Sequence, residues 1–358
     1  MAAMGGLPGP AGVPRVRRSV PGGGESGGRV TMRDVAVVAG VSLKTVSRVV
    51  NDEPGVRPEV RERVVNAVAS LGFRRNGVAR SLRAGQGIGS IGLIVADLMN
   101  PFYSAVAKAV EQVANRHNTA VVIGSSGEDA GRERELTMSL VHRPVDGLIV
   151  VPVGHDHRYL EPEMRMGMPV VFFDREASQI RADAVVLDNV GGANRAIDHL
   201  LRRGHRRIGF VGDLETIRTA AERLEGYRVA LAEAGVPYDP ELVVMGAHVA
   251  EEAEPAAAHL LGLSNPPTAI FAANNRICVG TLRAVRLSGR AVAVIGFDDF
   301  ELADLLPIPV TVVAYDAGEI GRMAGELLFS RLGGDARPPQ KITIPTRLVA
   351  RGSGELRP

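Results

Sequence analysis

Apolar positions follow two different rhythms along the chain. Between residues 31 and 71 they recur three or four apart, the spacing of helices that bury one face. Val35, Ala36 and Ala39 form one such stripe. Thr31 stands ahead of it with Asp34 three residues on, the arrangement of a capping box, and Gly40 supplies a stop. After a short turn, Ser42 is placed to cap a second helix over Leu43–Val50, with Val46, Val49 and Val50 on its inner face. Pro58 opens a third helix whose expected buried face is Val60, Val64, Val65, Val68 and Leu71. Two short helices on a tight glycine-containing turn make a helix-turn-helix pattern.

From residue 89 the rhythm changes to short, unbroken apolar runs separated by helical stretches. The runs are Ile91–Ala96, Thr119–Gly124, Gly147–Pro152, Val170–Phe173, Ala184–Leu187, Ile208–Gly212, Ala269–Ala272 and Val292–Gly296. Strands that are apolar throughout are covered on both faces, so this pattern predicts doubly wound parallel α/β sheets. Such sheets bind ligands beyond the carboxyl ends of their strands. Polar and aromatic residues gather there: Asp97-Leu98-Met99-Asn100-Pro101-Phe102-Tyr103, Asp174-Arg175, Asp188-Asn189, Asn274-Asn275-Arg276 and Phe297-Asp298-Asp299. Any one strand-end Asp is an ordinary helix cap; their recurrence at successive strands points to a binding cleft.

Length and composition add limits. The chain has 358 residues, enough for two or three domains at about 150 residues each. Its 45% hydrophobic and 23% charged content is that of a globular protein. A single cysteine, Cys278, rules out an internal disulfide and a cysteine-based zinc site. No apolar run is long enough to span a bilayer, so no membrane partner is expected. The first 30 residues, rich in Gly, Pro and Arg, lack the apolar core of a signal peptide and read as a disordered, cytoplasmic tail.

The net charge of +2 hides an asymmetry. Residues 1–85 hold 14 Lys and Arg against 6 Asp and Glu, whereas the remainder holds 28 against 34. A basic front end favours a nucleic-acid partner. The second helix offers Lys44, Thr45, Ser47 and Arg48, and an Arg fork matches the O6 and N7 acceptors of guanine.

Catalytic signatures are weak. Gly87-Ile88-Gly89-Ser90-Ile91-Gly92 precedes a strand instead of following one, so it reads as a linker and not as a nucleotide loop. His155-x-His157 has no obvious third metal ligand and reads as a pair of surface histidines. No nucleophile–base pair stands out; no enzymatic activity, cofactor or metal is expected.

The run Val30-Thr31-Met32-Arg33-Asp34-Val35-Ala36, then Ala39-Gly40-Val41-Ser42 and Thr45-Val46-Ser47-Arg48-Val49-Val50-Asn51, resembles the head of lactose-repressor-type (LacI/GalR) regulators. The match continues through Leu71-Gly72-Phe73 to Asn76-x-Val78-Ala79-Arg80-x-Leu82, and the later segments resemble the two-lobed type I periplasmic-binding-protein core of the same family. The resemblance implies a domain order: a disordered tail at 1–30, a helix-turn-helix DNA-binding domain at 31–74, a hinge helix and linker at 75–88, an effector-binding and dimerisation core at 89–352, and a tail at 353–358. It places Leu43, Lys44 and Arg48 at base edges and Thr31, Ser42, Thr45, Ser47 and Asn51 at phosphates. In the hinge it gives DNA contacts to Asn76, Ala79, Leu82 and Arg83, with Leu82 as a wedge in the minor groove.

The resemblance further implies that Asn100, Phe102, Tyr103, Asp174, Arg175, Thr219, Arg223, His248, Asn274, Phe297 and Asp298 contact a small effector. Carboxylates and Arg forks beside aromatic faces favour a sugar, most simply a monosaccharide. A purine or a phosphorylated sugar is the alternative effector, and a transport-class solute-binding protein the alternative protein. The chain departs from the family at Asn274-Asn275, where the second residue is usually Asp, and at Ala314-Tyr315, where Gln is common. The whole reads as a homodimeric repressor binding a pseudo-palindromic operator in double-stranded DNA under allosteric control.

Overall fold

The structure is a computed structural model describing residues 31–50, 54–71 and 89–358. The expected disordered tail, the phosphate contact at Asn51 and the hinge contacts at Asn76, Ala79, Leu82 and Arg83 lie outside the described residues. The chain divides after Phe73 into two units, which are described separately.

The first unit is helical: Met32–Ala39, Leu43–Val50 and Pro58–Leu71. Thr31 and Asp34 form the expected reciprocal capping box, and Gly40 closes the first helix in the left-handed conformation at φ 63°. Val35, Ala36, Ala39, Val46, Val49, Val64 and Ala67 make the core, with Val68 and Leu71 packed against it. One expectation fails: Val65 is exposed, and Ala67 takes the buried position in its place. The third helix turns a narrower face inward than its run of valines implied.

The second unit contains two six-stranded sheets. One has the order β11-β5-β4-β3-β1-β2 and the other β12-β10-β9-β8-β6-β7. The first is built from β1 (Gly89–Val95), β2 (Thr119–Ser125), β3 (Leu148–Val150), β4 (Val170–Asp174), β5 (Asp183–Leu187) and β11 (Lys341–Ile344). The second comprises β6 (Ile208–Val211), β7 (Val243–Val244), β8 (Ala269–Ala272), β9 (Ala293–Phe297), β10 (Thr311–Ala314) and β12 (Arg347–Val349). Every pairing is parallel except that of β12 with β10. The chain passes from one sheet to the other after β5, after β10 and between β11 and β12, so three adjacent crossovers hinge the lobes. The sheets and the helices over them place the strand ends of both lobes around one cleft.

The strands β3, β4, β5, β6, β8, β9 and β10 are wholly buried, as apolar runs covered on both faces should be. The helices covering them approach one another closely where glycines remove a side chain. At Gly226 a Cβ would strike the carbonyl of Val190, and at Gly280 that of Ala250.

Three expectations are corrected. The strand β2 is an edge strand whose Val122 and Ile123 are exposed. His157 is a buried structural residue, 1% exposed, whose Nδ1 accepts from the Ser178 amide at 3.0 Å. Residues 353–358 are no tail. The Ser353 amide oxygen and hydroxyl bond to Val294 and Thr311 as an added strand would, and Leu356 packs on the second lobe's core. The Leu356 carbonyl lies 2.9 Å from His205 Nε2.

Candidate functional site

The helix Leu43–Val50 exposes Leu43, Lys44 and Arg48 on the side away from Val46 and Val49. Ser42 begins it, its Oγ accepting from the Thr45 amide at 3.2 Å and lying 2.9 Å from Thr45 Oγ1. Ser47 is partly buried on the same helix. Thr31 sits exposed at the start of the first helix, its amide and hydroxyl both donating to Asp34 at 2.7 Å. These donations hold the Asp34 carboxyl below its ordinary range. An exposed helix bearing two cations and flanked by hydroxyls suits a groove lined with phosphates.

In the second unit, strand ends from both lobes meet at a cleft of about 490 Å³, open solvent at its mouth included. Asn100, Phe102, Tyr103, Asp174, Arg175, Thr219, Arg223, His248, Asn274 and Asp298 all line it, as anticipated. Phe297 does not. The strand β9 runs one residue further than its apolar run suggested, which turns Phe297 into the core and Asp298 into the cleft. Its ring instead supports Arg223, whose guanidinium carbon lies 3.8 Å above the ring centroid.

The charges are paired from below. Arg175 makes two hydrogen bonds to Glu128, at 2.6 and 2.7 Å, and an ion pair with Asp174 at 3.2 Å. Arg223 donates to Asn189 Oδ1 at 2.9 Å and to the Ala273 carbonyl at 2.6 Å, and lies 3.5 Å from Asp298. Two phenols cap the two strand-end carboxylates: Tyr103 donates to Asp174 at 3.4 Å and Tyr315 to Asp298 at 2.7 Å. Burial pushes the Asp174 carboxyl up to about 6, against the pull of Arg175 and Arg223. Burial and the facing carboxylates also hold both phenols well above their usual range.

Sequence reasoning passed over Glu128 and Asp213. Each follows a strand, β2 and β6, so the strand-end rule applied evenly finds both. Asp213 organises its wall: it accepts from Asn274 Nδ2 at 2.7 Å and lies 2.8 Å from His248 Nδ1, which raises the imidazole's pKa. Asn274 also caps the helix Asn275–Ser288, so its amide is committed within the protein. Asn100 is similarly committed, its oxygen accepting from Phe102 and, across the cleft, from Asn275 at 3.2 Å. Arg276 and Asp97 bridge the same rim at 2.7 Å.

Residues 31–76 match the model of bacterial regulatory proteins of the lacI family, and residues 197–354 match a periplasmic binding protein-like domain. Over 328 residues the chain is 33% identical to the ribose operon repressor of Haemophilus influenzae, covering 90% of this chain and 98% of that one. The chain belongs to the LacI family of bacterial transcriptional regulators.

This regulator is also 36% identical to the HTH-type transcriptional regulator GalS of Salmonella typhimurium, with 85% of it and 91% of GalS covered. Among solved structures it resembles the complex of the transcriptional regulator CelR with cellobiose (TM-score 0.68, 29% identity, 91% and 100% covered). The regulator is therefore a helix-turn-helix DNA-binding protein with a ligand-controlled core, and not an enzyme. Among the described residues no helix is long and apolar enough to cross a membrane, and no group of His, Cys, Asp and Glu is arranged to hold a metal ion.

Proposed function

We propose that the regulator is a cytoplasmic, homodimeric repressor whose affinity for a pseudo-palindromic operator is set by a neutral monosaccharide bound in the cleft, with no cofactor. Arg48 and Lys44 read base edges with Leu43 in apolar contact, and Thr31, Ser42, Thr45 and Ser47 hold phosphates. Effector binding shifts the closure of the two lobes about their crossovers. Such a two-state coupling typically amounts to about 1–3 kcal/mol, and it changes effector affinity and DNA affinity by the same factor.

The observation that carries the sugar reading is the state of the cleft's cations. Arg175, Arg223 and Arg276 each already face a carboxylate at 3.5 Å or less. A phosphorylated sugar would meet Asp97, Glu128, Asp174, Asp213 and Asp298 with no spare cation among the described residues. Hydroxyl groups suit such a wall, since carboxylates accept from them and the paired guanidinium forks donate to them. Phe102 and Tyr103, edge to face at 4.8 Å, supply an apolar side for the C–H face of a sugar ring. The relative named a ribose operon repressor and the solved complex with cellobiose lend the reading further support.

A thermal-shift screen tests it. At millimolar concentration, at least one neutral pentose or hexose raises the melting temperature, because stabilisation follows RT ln(1 + [L]/Kd). A shift with sugar phosphates or nucleobases and none with neutral sugars overturns the assignment.

A further inference from the structure

Tyr315 belongs to two cavities. Its phenol faces the effector cleft, donating to Asp298 at 2.7 Å. The same residue lines a second pocket of about 890 Å³, open solvent included, together with Ala105, Ala314, Gly318, Pro345 and Thr346. That pocket lies among the crossovers, because residues 314–318 and 345–347 are the segments where the chain changes sheets. The Tyr315 ring is held on the cleft side by Phe102, edge-on at 6.0 Å, and by Phe297 at 6.3 Å.

We propose that Tyr315 is the partition that limits this cleft to a single sugar ring and that determines which effectors it admits. The inference rests on the sugar reading of the cleft. At its rim the cleft is bridged where Arg276 meets Asp97 and Asn275 meets Asn100. The Tyr315 side chain stands between the cleft and the second pocket, where a second ring would find room. Behind that side chain Ala105, Ala314, Ala317 and Gly318 present at most a methyl group, and Asp316, Pro345, Thr346 and Arg347 complete the pocket. Removing the phenol joins the two spaces and also frees Asp298 Oδ1 to accept from a ligand hydroxyl. A site's rejection of a larger substrate is set by such a steric element, acting against the competitor and not for the preferred ligand.

Calorimetric titrations of the full chain with D-ribose, D-glucose and cellobiose test this, on the wild type, Tyr315→Phe and Tyr315→Ala. Melting temperature without sugar reports folding for each variant. The wild type binds one of the monosaccharides and rejects cellobiose. Tyr315→Phe keeps the ring and so keeps the rejection. Tyr315→Ala gains roughly tenfold or more in cellobiose affinity, the scale on which a pocket discriminates small apolar groups. A wild type that binds cellobiose as tightly as a monosaccharide overturns the partition. So does a folded Tyr315→Ala that still binds the monosaccharide without gaining the disaccharide. The monosaccharide selected by the thermal-shift screen is titrated alongside these; if that screen selects none, the sugar reading itself falls and the partition with it.

Discussion

Asp174 ends β4 and Asp298 follows β9, the third strands of their respective sheets, and both adopt the left-handed backbone conformation, at φ 67° and 69°. A non-glycine residue in that region costs of order 1–3 kcal/mol, and such strain gathers at functional sites. The conformation aims each carboxylate into the cleft while its neighbouring strand residue stays in the core. Burial gives Asp174 a titration of its own, at about 6. Since this value is raised, the folded state holds the proton more tightly than the unfolded chain. The carboxyl's contribution to stability is full below its ordinary range near 4 and is lost as pH rises through about 6. Effector binding has the opposite sign, because a sugar hydroxyl donates best to the ionised form. Affinity measured by calorimetry should fall several-fold between pH 7 and pH 5 and should lose that dependence in Asp174→Asn. In the DNA-binding unit, Arg48→Ala should cost about 1–3 kcal/mol of operator affinity and relax base preference at one position, as read by binding to a set of single-base operator variants.

At the scale of elements, the glycines inside helices are the sharpest tests of packing. The helix Asn275–Ser288 crosses Ala250–Leu261 with Gly280 against the Ala250 carbonyl. Gly280→Ala has no flexible neighbour to displace and should destabilise the core by about 1–3 kcal/mol, lowering the denaturant midpoint with an unchanged slope. The elements most legible in the sequence were those whose physics is local. The capping box at Thr31, the stop at Gly40 and most of the fully apolar inner strands follow from residue type and spacing alone, though the inner strand β10 is not among the expected runs. Less legible were elements defined by a distant partner. The strands β11 and β12 are short and lie at sheet edges, where exposure breaks the apolar run. Residues 353–358 resemble a tail in composition, but Ser353 substitutes its hydroxyl and backbone for a missing strand. A one-residue difference in the end of β9 misplaced Phe297, since successive side chains on a strand face opposite ways. Ten of the eleven residues expected at the effector line one cleft even so: the rule about strand ends reaches Asn100, Phe102, Tyr103, Asp174, Arg175, Asn274 and Asp298, and the family resemblance supplies Thr219, Arg223 and His248.

At the scale of the molecule, the lobes meet across the cleft through Asp97–Arg276, Asn100–Asn275 and Glu176–Arg218, the last at 3.0 Å. The first two join residues at the cleft's rim and resist its opening. Arg276→Ala should therefore speed effector association and dissociation together in stopped-flow measurements, with a smaller change in Kd. In the proposed function the basic unit faces phosphates and the acidic core faces sugar hydroxyls, and repression depends on their coupling. The most direct test is operator affinity with and without the saturating monosaccharide, by fluorescence anisotropy on a duplex selected for binding. The comparison should include both the wild type and Asp298→Ala. The account predicts a 5- to 150-fold change for the wild type, the range of a 1–3 kcal/mol coupling, and none for the variant, which still binds the duplex. Wild-type affinity that is the same with and without a sugar shown to bind the cleft would contradict it.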